Sequence, residues 1–112
     1  MYDIIGLENF PENQIKSAAF SFACMEPLDE QHMTLDFRGF KQDNLEIMIS
    51  MFEANRFSDI YFNETFGCSA KCIGRMFYYC ENLKSLDLRG FNTSLFDTSE
   101  YTEEECYGNA LY

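Results

Sequence analysis

The chain has 112 residues, 46% of them hydrophobic, and sets 19 acids against 8 bases for a formal charge of −11. That length is one domain with a single core, and that apolar fraction belongs to a folding sequence rather than a disordered one. The charge argues against direct binding of nucleic acid or an anionic membrane surface, because neutralising phosphates takes Lys and Arg. A basic partner, or imitation of a polyanion, suits it better.

The core material is aromatic and sulfur-rich, with 12 Phe, 7 Tyr and 6 Met but no Trp. Large side chains spaced through short elements fit a thin, layered core. The opening decapeptide MYDIIGLENF has neither the basic start nor the long apolar run of a signal peptide. No segment approaches the length of a membrane span. The chain opens on Met and reads as a complete small cytoplasmic protein. Its 5 cysteines are an odd number, so reduced thiols rather than a disulfide framework are expected.

In chain order, Tyr2, Ile4, Ile5 and Leu7 suggest a short strand or turn. Phe10-Pro11-Glu12 reads as a helix start, since Pro suits the first turn and acids there complement the helix dipole. Ile15, Ala18, Ala19, Phe22 and Met25 then recur on one helical face, and Pro27 closes a predicted helix over 12–25. From Gln31 to Phe37 the pattern alternates, with Met33, Leu35 and Phe37 on one side, as in a half-buried strand. A helical piece is predicted over 44–51, a strand on Ile60 and Phe62, a helical turn over 69–77, and a strand on Leu86 and Leu88. The pattern then degrades into an acidic tail.

These elements echo one another. Met51-Phe52 returns as Met76-Phe77, and Leu35-Asp36-Phe37-Arg38-Gly39-Phe40 returns as Leu86-Asp87-Leu88-Arg89-Gly90-Phe91. Stacked units would align Leu35 with Ile60 and Leu86, Phe37 with Phe62 and Leu88, and Phe40 with Phe66 and Phe91. The expected fold is α/β: a short leucine-rich-repeat-like solenoid of about three strand–loop–helix turns. Its single domain divides into an N-terminal helical cap (1–30), repeats (31–95) and an irregular acidic C-terminal cap (96–112).

The best-formed stretch, MFYYCENLKSLDLRGFNTS at 76–94, resembles the BspA-like leucine-rich repeat of bacterial and mycoplasmal surface proteins. Met76, Phe77, Cys80, Leu83, Leu86, Asp87, Leu88, Phe91, Thr93 and Ser94 fall on that family's pattern, and Leu95 takes the place of its Val. The likeness spans about residues 35–95. It implies parallel strands on a concave side and helical turns on the other. The motif residues are structural, so the resemblance transfers no catalytic residue.

Two surfaces are candidates for partner binding. The outward strand positions Asp36, Asp59, Tyr61 and Asp87 would share one face, with Arg38 and Arg89 partly neutralising Asp36 and Asp87. The acidic tail, with Asp97, Glu100, Tyr101, Glu103, Glu104, Glu105 and Tyr107, has the charge density to imitate a run of phosphates in a basic groove. Solvated surface is the bland alternative for both. Cys68 and Cys72 would share a face if helical, yet a zinc site wants more ligands than the sequence groups there. No metal, no cofactor and no catalytic residue is expected, since His32 lacks a nucleophile and an orienting partner. The leading expectation is a small acidic inhibitor that occupies the nucleic-acid-binding surface of a basic protein partner, such as a nuclease complex. An anti-defence protein of a phage or mobile element, for instance an anti-CRISPR, is its concrete form. A generic repeat module for adhesion or assembly is the alternative, and a thiol redox or metal protein using Cys68 and Cys72 the third.

Overall fold

Apolar–polar alternation is clearest around Leu35, Ile60 and Leu86, and these residues lie side by side. A computed structural model of the chain describes residues 2–3, 11–96 and 98–111. It contains one parallel sheet of short strands, β1 (Tyr2–Asp3), β2 (Thr34–Asp36), β3 (Asp59–Tyr61) and β4 (Ser85–Leu86), ordered β1-β2-β3-β4. Leu35 pairs with Ile60 and Ile60 with Leu86. Leu35 and Ile60 are buried, while their polar neighbours on either side remain at least partly exposed.

A second, thinner set of parallel contacts runs through Ser17, Ile47 and Cys72, which bridge in that order. Alternate amides cross from one segment to the next. Ala18, Phe20, Phe22 and Cys24 donate to the carbonyls of Ile47, Ile49, Met51 and Glu53 at 2.8–3.0 Å. Met48, Ser50, Phe52 and Ala54 donate in the same way to Cys72, Gly74, Met76 and Tyr78.

The core fills the space these contacts enclose. Phe37, Phe52, Phe57 and Phe77 are buried with Leu45, Met48, Met51 and Met76. Phe52 stacks on Phe22 at 5.8 Å and on Phe77 at 5.7 Å, and meets Phe37 edge-on at 5.1 Å. Phe40, Phe66 and Phe91 touch in sequence, at 6.5 and 5.8 Å.

The expected solenoid of strand–loop–helix turns does not form. What forms is a compact globule with a radius of gyration of 13.3 Å, as a compact domain of this length should have (about 13 Å). Among the described residues, helix is confined to a 3-10 turn at Thr93–Leu95 and the four-residue α1 at Glu103–Cys106. The helical N-terminal cap is absent, since residues 12–25 are turns around the Ser17 bridge. Their amides bond across to residues 47–53 rather than back along their own segment, and left-handed backbone at Asn13, Phe20 and Cys24 interrupts any helix. Left-handed Ser50 and Ala54 lie within or just after the expected helical piece at 44–51, and Arg75 and Tyr79 do the same for the turn at 69–77. Apolar spacing of three and four arises here from tight turns, whose inward positions recur at nearly the helical interval.

Strand lengths fall short as well. After Leu86 the Asp87 carboxylate accepts the Arg89 amide at 3.1 Å and turns the chain, so Leu88 follows the strand instead of belonging to it. Of the expected element over residues 1–10, β1 is described; Ile4, Ile5, Leu7 and Phe10 lie outside the described residues. Among the described residues no helix is long and apolar enough to cross a membrane.

Candidate interaction surface

Asp36 and Asp87, in the two copies of the LDxRGF motif, do the same local work. Asp36 accepts the Arg38 amide at 3.1 Å and its guanidinium at 2.8 and 2.7 Å. Asp87 accepts the Arg89 amide at 3.1 Å and its guanidinium at 2.7 Å. Each guanidinium holds its carboxyl below the usual carboxylate range, aided by the backbone amide. The turn needs a short acceptor two residues before the donating amide, which Asp supplies.

Register places Asp36 opposite Tyr61, and Asp59 between Thr34 and Ser85. The Arg38 guanidinium also lies over the Tyr61 ring, 5.7 Å from its centre. Asp59 is half-buried and accepts the Ser58 hydroxyl at 2.8 Å. This face therefore offers a partner closed ion pairs and one exposed tyrosine, not a row of bare carboxylates.

The C-terminal group is different. Thr102 caps α1: its hydroxyl accepts the Glu105 amide at 3.2 Å, and the Glu105 carboxylate accepts the Thr102 amide at 2.9 Å. Glu105 is thus occupied in holding the helix, while Glu103 and Glu104 project into solvent. The segment docks through backbone: Ile73, Gly74, Arg75 and Phe77 donate to the carbonyls of Cys106, Glu105, Gly108 and Ala110, each at 2.8 Å. A Cβ on Gly74 would overlap the carbonyl oxygen of Glu104, so only glycine permits this approach.

The bases nearest this segment are already engaged. Lys71 pairs with Glu46 at 3.5 Å, and Glu46 first, then Glu100, pushes its ammonium above the ordinary lysine range. Arg75 binds Glu53 at 2.9 Å and lies over the Tyr78 ring at 4.2 Å. Elsewhere Arg38, Lys41, Arg56 and Arg89 each contact a carboxylate of the chain as well. With these six of the 8 bases paired to acids of the chain, the surplus negative charge falls on acids such as Glu103 and Glu104. Tyr101 is partly buried, and burial together with Glu100 raises its phenol above the ordinary range.

Tyr107 is 47% exposed and borders an apolar cleft of about 440 Å³. Ile73, Leu88, Phe91, Phe96, Ala110 and Leu111 form most of its wall. Leu88 follows Asp87 directly and Tyr107 follows α1, so this cleft connects the sheet side with the acidic segment. Asp97 lies outside the described residues.

Sequence reasoning missed the cleft, the cap and the docking glycine. Thr102-Glu103-Glu104-Glu105 spells a capping box, and Cys72-Ile73-Gly74 echoes in Cys106-Tyr107-Gly108, two signals that were legible. The cleft had none, because its walls come from distant parts of the chain. The shared face that a helix would have given Cys68 and Cys72 does not form: residues 64–69 are turns, Cys68 donates to the Asp43 carbonyl at 3.4 Å, and Cys72 is fully buried. Among the described residues no cluster of His, Cys, Asp and Glu has the makings of a metal site. His32 bonds Asp29 at 2.6 Å on the surface.

No family model, no curated protein and no solved structure matches the chain.

Proposed function

We propose that the chain is a non-catalytic interaction module that occupies the nucleic-acid-binding surface of a basic partner protein. The observation that carries this reading is the C-terminal segment, where Glu103 and Glu104 project from a capped and firmly docked α1 beside the apolar cleft. Carboxylates on a fixed backbone hold a spacing, as phosphates do, and raise the encounter rate with a basic groove. Tyr107 and the cleft supply the apolar contact that fixes affinity, since aromatic anchors carry most interface energy. The sheet face contributes Tyr61 and polarity; its Asp36 and Asp87 act chiefly on their own arginines. A nuclease complex that a phage or mobile element must disarm is the partner class that size and charge favour.

The test is capture of partners from the native host on immobilised chain, followed by elution with salt. A basic nucleic-acid-binding protein should be retained at about 0.05 M salt and released well before about 0.5 M. It should also have lost its nucleic-acid binding while captured. Retention of the same proteins by a Glu103→Gln/Glu104→Gln chain, with the same elution profile, would sink the proposal.

A further inference from the structure

Cys72 and Cys106 are both completely buried, and the backbone places them opposite one another. Ile47 is in parallel register with Cys72, a relation in which the following amide, Met48, donates to the Cys72 carbonyl at 2.8 Å. One bond of the same kind leads on to the C-terminal segment: the amide after Cys72, Ile73, donates to the Cys106 carbonyl at 2.8 Å. Cys106 ends α1, with its own amide bonded back to Thr102, so it joins Cys72 through this one backbone bond and through its thiol, which hydrogen-bonds the Cys72 thiol. Both side chains are therefore turned into the same buried space, between α1 and the segment that carries Cys72. A disulfide brings its sulfurs to about 2.05 Å, and two thiols already in contact reach this by rotation of their side chains.

We propose that Cys72 and Cys106 are a thiol pair that closes to a disulfide under oxidising conditions and locks α1 onto the body of the molecule. The oxidant class is a low-molecular-weight disulfide such as glutathione disulfide. The Cys106 thiolate attacks one of its sulfurs and expels a glutathione thiolate. The Cys72 thiolate then attacks Cys106 Sγ in the mixed disulfide and expels the second. Two protein thiols lose two protons and two electrons, and one glutathione disulfide becomes two glutathiones.

The surroundings set the rate. Burial first, then the neighbouring Cys106 thiol and Glu105, push the Cys72 thiol up to about 12. The closed protein therefore holds very little thiolate, and the reaction waits on opening of the terminal segment. Cys106 belongs to that segment and meets the oxidant first. The inference rests on the Ile73–Cys106 backbone bond and the contact of two buried thiols, and does not depend on the proposed inhibitory role.

The full chain is incubated with millimolar glutathione disulfide, with and without a urea concentration below the unfolding transition, then alkylated and digested with trypsin unreduced. The expected product joins peptide Cys72–Arg75 to peptide Gly90–Tyr112, and the melting temperature rises by about 10 °C. A Cys24→Ser/Cys68→Ser/Cys80→Ser chain, which keeps only the proposed pair, should give the same joined peptide. Recovery of Cys72 and Cys106 as alkylated thiols under both conditions, or linkage of either to another cysteine of the intact chain, overturns the proposal.

Discussion

The Gly74 amide donates to the Glu105 carbonyl at 2.8 Å, and the missing side chain of Gly74 is what lets the two backbones meet. This contact fixes the acidic segment to the rest of the molecule. Gly74→Ala forces the segment outward or strains its carbonyls, and overpacking of this kind costs about 1–3 kcal/mol. The expected result is a lower urea midpoint, with faster hydrogen exchange at the amides of Ile73, Gly74, Arg75 and Phe77. Exchange at Phe22 and Phe52, whose amides bond elsewhere, should change less.

Phe52 is the centre of the aromatic core. It is fully buried between Phe22 and Phe77 and meets Phe37 and Phe62 as well. Phe52→Ala removes these contacts and leaves a cavity, so a loss of about 3–5 kcal/mol is expected by chemical denaturation. In a domain of this size that is a large share of the whole stability.

The Asp36–Arg38 clip gives an acid limb to the stability profile. The folded carboxyl titrates below its usual value because the guanidinium and the backbone amide favour the charged form. Its contribution is therefore complete above the unfolded value of 3.8 and is lost as pH falls through the lower folded value. Urea midpoints measured from pH 5 to about pH 2 should fall less steeply for Asp36→Asn than for the parent chain. An equal slope would show that the clip does not persist in solution.

Left-handed backbone at Ala54 (φ 59°) makes a converse prediction. An L side chain there costs about 1–2 kcal/mol, and glycine avoids this while adding about 0.5–1 kcal/mol of chain entropy. Ala54→Gly should therefore stabilise by roughly 0.5–1 kcal/mol. A raised melting temperature with unchanged circular dichroism is the expected reading.

These same residues explain how far the fold was legible. The alignment of Leu35, Ile60 and Leu86 was visible because strand alternation reports all three and the recurring LDxRGF motif reports Leu35 and Leu86. The helices expected at 12–25, 44–51 and 69–77 were not there. Phe20, Cys24, Ser50, Arg75 and Tyr79 take left-handed turns that sequences normally mark with Gly or Asn, so nothing announced them. At the interaction surface, charge was legible and geometry was not. Glu105 serves as a cap and Asp36 and Asp87 as turn residues, whereas Glu103 and Glu104 remain exposed. Side-chain partners decide which acids are available, and composition does not contain them.

The most direct test of the inhibitory role is a competition between the chain and a labelled nucleic-acid duplex for the captured basic partner, followed by fluorescence anisotropy. The parent chain should displace the duplex fully, and Glu103→Gln/Glu104→Gln should need about tenfold more protein, a gap that narrows as salt is raised. Partner binding that leaves the duplex in place, or equal displacement by the two chains at every salt concentration, would contradict it.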